Sequence, residues 1–214
     1  MFVKTRQVKS LDKIPSFGNL DASPRGRVLR AAALLFRVQG YAGTTVREIA
    51  ALVGIQSGSL FHHFRSKEEI LFVVMKEVII YNTEMIEAAM AGEVGAEPRL
   101  KALIRSELTA INGITRDAMT VLVFEWESVS REHKEELEKL RLVYERHWLA
   151  ALEEIRDAQG WGEPASVRRS LLRGAIAWTA TWYKTEGGMG MEALAGVVLA
   201  MALGKTGGDL TLNS

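Results

Sequence analysis

Apolar residues recur every three or four positions along most of this 214-residue chain, which is the pattern of amphipathic helices. Ser23 followed by Pro24 predicts the start of a first helix, because serine caps helices and proline suits the first helical position. Gly40 predicts its end as a C-cap. No stretch keeps the apolar–polar alternation of a strand. We therefore predict an all-α protein of about nine helices.

Two short helices come next, separated by a glycine. Thr45 and Glu48 have the spacing of a capping box, which predicts that a second helix begins there and ends before Gly54. A third helix is expected from about residue 57 to residue 64. Two short helices around a tight glycine turn predict a helix-turn-helix.

Longer helices fill the rest of the chain. Ser66 and Glu69 form a second capping-box pattern, so a long fourth helix is expected to begin there and to reach about residue 91. The apolar pattern then predicts five further helices, at approximately residues 98–114, 117–129, 131–159, 163–184 and 191–204.

The charge of the chain is unevenly distributed. Its net charge is only +1, but residues 1–70 carry 11 basic and 5 acidic side chains, whereas residues 71–214 are net acidic. A basic front favours contact with a polyanion such as nucleic acid, although chance is the alternative explanation.

The stretch GIQSGSLFHHFRSKEEIL contains two adjacent histidines, and three interpretations are open. On a helical wheel Ser59 and His62 point away from the apolar face, with Phe61 and His63 on its flanks. Hydroxyl and imidazole groups on such a face can meet base edges and phosphates in a major groove. Ordinary surface histidines, or an enzyme that uses His62, His63 or His147, are the alternatives. Adjacent histidines diverge by about 100° on a helix, which disfavours a shared metal site.

Several classes of protein are disfavoured by the composition. The chain has no cysteine, so disulfides and thiolate metal sites are excluded. It has no apolar run long enough to span a membrane and no signal-peptide core. We expect a cytoplasmic protein without a cofactor, a metal or a membrane partner, and we do not expect an enzyme.

The segment GTTVREIAALVGIQSGSLFHHFRSKEEIL, Gly43 to Leu71, resembles the DNA-binding signature of TetR/AcrR-family transcriptional regulators. The resemblance covers residues 25–72 and implies an all-helical homodimer, usually a repressor. It also implies a palindromic double-stranded DNA operator and a small-molecule effector bound in the C-terminal domain.

Site residues follow from the same resemblance. It implies DNA contacts from the second helix, the third helix and the start of the fourth, made by Thr45, Arg47, Ser57, Gly58, Ser59, Phe61, His62, His63 and Lys67. Lys67 is expected at a helix N-terminus, where backbone N–H groups also favour a phosphate. The family often has lysine at Ser57 and tyrosine at Phe61, so this chain lacks one phosphate-binding hydroxyl.

The domains are predicted as a flexible basic arm at 1–22, a helix-turn-helix domain at 23–70, an effector-binding and dimerisation domain at 71–205, and a flexible tail at 206–214. The last two helices have apolar faces too wide for one small core. The resemblance implies that they pair with their copies in a dimer, through Leu171, Leu172, Ala175, Ile176, Thr179, Trp182, Tyr183, Leu194, Val197, Val198 and Met201. Packing within one chain is the alternative.

Aromatic and apolar residues in the middle of the chain predict an effector pocket, with plain core as the alternative. They are Met119, Leu122, Val123, Phe124, Trp126, Tyr144, His147 and Trp148. The segment GAIAWTATWYKTEGGMGMEALA is similar to the C-terminal part of TetR-like regulators that answer to acyl-CoA thioesters. We therefore expect a repressor released by a small apolar effector, an acyl-CoA; a regulator of efflux that answers lipophilic drugs is the alternative.

Overall fold

The computed structural model of the chain describes residues 14–184 and 187–204. These residues form nine α-helices and one 3₁₀-helix, with no strand among them, which confirms the predicted all-α class. The helices are α1 Pro24–Gly43, α2 Val46–Val53, α3 Ser57–Leu60, α4 Lys67–Met90, α5 Ala96–Asn112, α6 Arg116–Phe124, the 3₁₀-helix Trp126–Ser128, α7 Arg131–Gln159, α8 Ala165–Trp182 and α9 Met191–Leu203.

The predicted start of α1 is confirmed. The Ser23 hydroxyl accepts a hydrogen bond from the Gly26 amide at 3.0 Å, and Pro24 occupies the first turn. Gly40 has a φ of 78° and a ψ of 159°, which breaks the helix three residues before its assigned end. A short last turn from Tyr41 follows this break and leads directly to α2.

The start of α2 and the turn after it are also confirmed. Thr45 and Glu48 form both hydrogen bonds of the capping box. Gly54 ends α2 in the left-handed conformation with a φ of 78°, which a side chain would disfavour.

The third helix is shorter than predicted. It ends at Leu60 rather than near residue 64, because the amides of Phe61, His62 and His63 each bond to the carbonyl three residues back. Such bonds tighten the backbone and close the helix as a series of turns. The helix predicted for residues 117–129 likewise ends early, at Phe124, and the 3₁₀-helix begins two residues later at Trp126.

The described residues divide into two compact units. The first contains the described residues up to Tyr81 together with Ile114–Leu140, and the second contains Asn82–Gly113 together with the described residues from Arg141 onward. The helix-turn-helix therefore shares its unit with α6 and the first part of α7. This division differs from the sequence boundary at residue 70, which stays a functional prediction.

In the first unit, α1 packs against α2 and α6, and Arg37 pairs with Asp117 at 2.5 Å. The flexible arm predicted for residues 1–22 is wrong for its described part. Phe17 and Leu20 are buried, and the Phe17 ring lies 5.2 Å from that of Tyr81 on α4. The buried Arg30 guanidinium donates to the Ile14 carbonyl at 2.7 Å. Apolar burial and this hydrogen bond hold the segment in place; residues 1–13 lie outside the described residues.

The second unit is built around an apolar core from α4, α5, α7, α8 and α9, with Trp148 fully buried in it. Buried charged groups lie beside this core. Arg169 donates to Glu107 at 2.9 Å and to Glu145 at 2.7 Å, and its guanidinium stacks 3.9 Å from the Trp148 ring centre. Burial opposes the charge of Arg169, but the two carboxylates outweigh it and raise its pKa.

The prediction that eleven residues of α8, α9 and their connection form the dimer surface is wrong for part of this set. Five of its residues are buried in the second unit itself and are closed to a partner: Leu172, Ile176, Thr179, Leu194 and Val198. Five others are exposed or partly exposed on this unit: Leu171, Ala175, Trp182, Val197 and Met201. Tyr183 packs against the core from its edge. The tail predicted for residues 206–214 lies outside the described residues.

A search of the described helices for one both long enough and apolar enough to cross a bilayer finds none.

Candidate nucleic-acid interface

The inner side of the helix-turn-helix is apolar and closed. Ile49, Ala50 and Val53 of α2 are buried, as are Leu60 and Phe64. Ile55 is partly buried in the turn. Because the inner positions are fixed by packing, the side chains on the opposite side have a defined direction.

The outer side is polar, and its side chains are available. Ser59, Phe61, His62 and His63 are exposed, as the helical wheel predicts, and the exposed fraction of Phe61 reaches 54%. Arg47 of α2 is exposed as well. Among residues 14–184 and 187–204, the side chains of Arg47, Ser59 and His62 have no hydrogen-bond partner. Ser57 is partly buried at the start of α3. The exposed residues among those predicted from the sequence thus lie on the outer side of the helix-turn-helix and not in its core.

Gly58 is exposed at the start of α3, and neither its backbone conformation nor its packing requires a glycine there. Its φ is not positive, and a Cβ at this position would meet nothing within 4 Å. The fold alone would accept alanine here. Glycine at this point is therefore consistent with the close approach of an external surface.

Thr45 serves the fold more clearly than a ligand. Its hydroxyl accepts from the Glu48 amide at 3.2 Å and donates to the Glu48 carboxylate at 2.8 Å. The Thr45 amide also donates to the Glu48 carboxylate, at 2.7 Å. The bond from the hydroxyl, followed by the bond from the amide, lowers the pKa of Glu48. Donation to a phosphate, which the resemblance implies for Thr45, would require the hydroxyl to leave Glu48.

The geometry corrects the role predicted for Lys67. Its ammonium donates to the carbonyls of Tyr41 and Thr44 at 2.9 and 2.8 Å, and it lies 4.2 Å from the centre of the Tyr41 ring. The charge is already satisfied by these internal partners. Lys67 therefore ties the start of α4 to the turn before α2 instead of presenting a free cation to a phosphate.

The sequence interpretation overlooked two polar residues beside this face. Gln56, which precedes α3, and Arg65, which follows the turns after it, are both exposed. The sequence could have predicted them, because Gln56 and Arg65 flank the stretch in which the helical wheel predicts outward-pointing polar residues.

The predicted effector-pocket residues fall into separate parts of the molecule. Those from Met119 to Trp126 belong to the first unit, where Met119 is buried, Leu122 and Trp126 are partly buried, and Val123 and Phe124 are exposed. Tyr144, His147 and Trp148 belong to the second. Tyr144 donates to Glu107 at 2.9 Å, and its burial, followed by the nearby Glu107 charge, raises its pKa. Trp148 is therefore core of the second unit and Tyr144 packs against that core, which is the alternative that the sequence left open for these residues.

His147 does line a cavity. This cavity of about 410 Å³ lies in the second unit and is lined by both apolar and charged side chains. His147 bonds to Glu87 at 3.1 Å, and Arg99 pairs with Glu154, while Arg146 pairs with no carboxylate among the described residues. The lining residues are Glu87, Met90, Arg99, Val143, Arg146, His147, Ala150 and Ala151.

A bihelical motif with a free polar face on a compact helical scaffold defines a helix-turn-helix protein of the DNA-binding class. The family model described as bacterial regulatory proteins, tetR family, matches residues 28–74. The model described as tetracyclin repressor-like, C-terminal domain, matches residues 93–206. The chain belongs to the tetR family, whose members are DNA-binding transcriptional regulators and not enzymes.

Individual proteins support this assignment. The HTH-type transcriptional repressor KstR2 of Rhodococcus jostii is 28% identical over 84% of this chain and 89% of its own length. A crystal structure of the superantigen pfit is 44% identical, with a TM-score of 0.71 over 84% of this chain and 89% of that one. The structure of AibR in complex with isovaleryl coenzyme A and operator DNA has a TM-score of 0.76 over 86% of this chain and 100% of that one. Its identity is 22%, so this likeness is one of fold.

Two cations of the helix-turn-helix, Lys67 and Arg47, are expected to respond differently to removal. Lys67→Gln breaks two hydrogen bonds to carbonyls and should lower the free energy of unfolding by about 1–3 kcal/mol, without changing the salt dependence of binding to duplex DNA. Arg47→Gln should leave stability within about 0.5 kcal/mol and flatten the salt slope by about one unit. Urea denaturation and binding titrations at several salt concentrations measure both. An unchanged stability with a flattened slope for Lys67→Gln would restore Lys67 as a phosphate contact.

Proposed function

We propose that this protein is a ligand-responsive transcriptional repressor that binds a palindromic operator through α2 and α3 and is released by a small effector. The carrying observation is the partner-free face of Arg47, Ser59 and His62 on a closed apolar scaffold. The basic charge of residues 1–70 adds a general attraction for the DNA backbone. The KstR2 relative, named as a repressor, supports the sign of control.

Recognition would divide between two kinds of contact. Ser59 and His62 carry a hydroxyl and an imidazole, which can bond to base edges in the major groove and so specify sequence. Arg47 and His63 are also exposed, and phosphate contacts from them would fix the position of the helix on the duplex. Gly58 allows the backbone of α3 to approach the DNA closely. Phe61 offers an apolar ring for a thymine methyl group.

Dimerisation rests on an uncovered apolar face on α8. Leu171, Trp178 and Trp182 are spaced at seven and four residues, so they share one side of the helix, and their exposed fractions are 71%, 63% and 53%. Exposed apolar surface of this kind marks an interaction site. We propose that the α8 face, together with Val197 and Met201 of α9, meets a second copy. Two α3 helices would then reach successive major grooves.

The effector is proposed to be an acyl thioester or a related anionic, largely apolar molecule. The cavity beside His147 is lined by apolar side chains together with Arg99 and Arg146, which suits an acyl group next to a negative charge. A volume of about 410 Å³ is at the small end for ligand sites and fits an acyl group better than a whole coenzyme. The AibR complex supports the class, because the same fold there binds isovaleryl coenzyme A and operator DNA.

Superantigen is the name of the solved structure and describes that protein. The features behind the DNA-binding proposal lie in this chain itself, in the capped α2, the Gly54 turn and the free outer face.

Selection from a random duplex library should recover a palindrome bound by the wild-type protein. Ser59→Ala and His62→Ala should each weaken that duplex by about 1–3 kcal/mol relative to a scrambled one, because they remove base contacts. Ser166→Ala, which removes an exposed serine at the start of α8, serves as the control and should change nothing. Failure to recover any preferred duplex would contradict the operator proposal.

Leu171→Glu should convert the protein from a dimer to a monomer and abolish tight operator binding at the same time, because charge on the α8 face is costly to bury. Leu142→Glu is the matched control, since Leu142 is a comparably exposed leucine away from that face and the variant should stay dimeric. Light scattering after size exclusion measures the mass. A wild-type monomer at micromolar concentration, or a Leu171→Glu dimer, would count against this interface.

Isovaleryl coenzyme A and longer acyl-CoA thioesters should release the selected duplex, weakening its binding about 5–150-fold, as typical allosteric coupling allows. Arg146→Ala should reduce the potency of the thioesters, whereas Arg156→Ala, whose cation pairs with Asp157, should not. Tryptophan fluorescence and duplex release, measured with thioesters, free fatty acids and lipophilic drugs, provide the comparison. Release by drugs alone would favour the efflux regulator and leave the repressor proposal standing.

A further inference from the structure

The turn between α1 and α2 connects the scaffold to the DNA-facing helices. Gly40 breaks α1, and Thr44 ends it by donating its amide to the Tyr41 carbonyl at 3.2 Å and its hydroxyl to the Gly40 carbonyl at 2.8 Å. Thr44 is buried, and the next residue, Thr45, is the N-cap of α2. Any movement of this turn therefore moves the start of α2.

A carboxylate from another part of the first unit contacts this turn. Glu125 directly follows α6, and its Oε1 accepts a hydrogen bond from the Tyr41 amide at 3.1 Å. Its Oε2 accepts from the Ser128 hydroxyl at 3.0 Å, which fixes the orientation of the carboxylate. The tetR-family helix-turn-helix match ends at residue 74, so Glu125 lies well outside it in sequence.

Groups of opposite charge thus bond to the backbone amide and the backbone carbonyl of Tyr41. The Glu125 carboxylate accepts from the amide, and the Lys67 ammonium donates to the carbonyl at 2.9 Å. Hydrogen bonds with one charged partner are shorter and stronger than neutral ones. The Tyr41 ring adds packing, because it lies 5.3 Å from the Phe36 ring of α1.

We propose that Glu125 is a positioning residue for sequence-specific DNA binding, which holds the Tyr41 turn and through it the orientation of α2 and α3. This inference rests on the proposed operator binding. Glu125 itself touches no DNA, and its negative charge would repel DNA if charge alone mattered. Its contribution is geometric and acts through the backbone that carries Thr45.

The geometric role has a distinct signature. Base contacts require the recognition helix to be held within about 0.5 Å, whereas non-specific attraction to phosphates tolerates looser placement. Loosening the Tyr41 turn should therefore reduce the preference for the operator more than the affinity for a scrambled duplex. A loss of negative charge by itself would act in the opposite direction and strengthen binding to both duplexes.

The test compares three variants on the selected operator and on a scrambled duplex. Glu125→Ala should lower the ratio of the two affinities by about tenfold, the effect of losing one charge-assisted hydrogen bond. Glu125→Gln keeps an oxygen acceptor for the Tyr41 amide and should stay within twofold of wild type, about the resolution of such titrations. Glu127→Ala is the matched control, because Glu127 lies two residues away, is largely exposed and carries the same charge. It should leave the ratio unchanged.

Three results would overturn the proposal: a Glu125→Ala ratio equal to that of Glu127→Ala, a Glu125→Gln loss as large as that of Glu125→Ala, or equal weakening of both duplexes. If circular dichroism shows that Glu125→Ala does not fold, Ser128→Ala decides, since it frees the carboxylate without removing it. A lower ratio for Ser128→Ala supports the proposal, and an unchanged ratio overturns it.

If no operator can be selected for the wild type, the proposed function fails instead. Slow hydrogen exchange of the Tyr41 amide in the wild type, made fast in Glu125→Ala, would then still support the internal contact.

Discussion

The bond between the Lys67 ammonium and the carbonyls of Tyr41 and Thr44 is the interaction on which the geometry of the DNA-facing helices depends. It joins the first residue of α4 to the last turn of α1. That turn leads into the Thr45 cap, the cap fixes the start of α2, and the left-handed Gly54 fixes the angle to α3. A lysine that the sequence suggests as a DNA contact is thus internal to the scaffold.

Contacts from the α6–α7 junction strengthen the same region. Glu68, on the first turn of α4, accepts from the Ser130 amide at 3.0 Å and from His133 at 2.7 Å. Burial of Glu68 opposes its charge, but these hydrogen bonds outweigh burial and lower its pKa. The His133 ring also stacks on Phe72 with centres 3.9 Å apart. Residues 114–140 therefore act as part of the helix-turn-helix scaffold, although they lie far from it in sequence.

Features that depend on residues close together in the sequence could be predicted, whereas features that depend on distant segments could not. Helix starts at Ser23 and Thr45 and the turn at Gly54 depend on residues a few positions apart, so local patterns predict them. The partners of Lys67 and the packing of Phe17 depend on contacts between distant segments, which a single sequence does not show. Periodicity also identifies an apolar helix without telling which apolar side is inside. On α8, Leu172 and Ile176 face the core of the unit while Leu171 and Trp178 are exposed, and Trp178 was missed.

Amide hydrogen exchange, measured residue by residue in the free protein and in its complex with the selected duplex, is the most direct test of the central claim that α2 and α3 form the DNA-binding face. We expect exchange to slow on complex formation at residues 45–48 and 57–63, where the free polar face lies, and to stay unchanged along the α8 face. Unchanged exchange at residues 57–63, with protection confined to other helices, would contradict the assignment of this face to DNA.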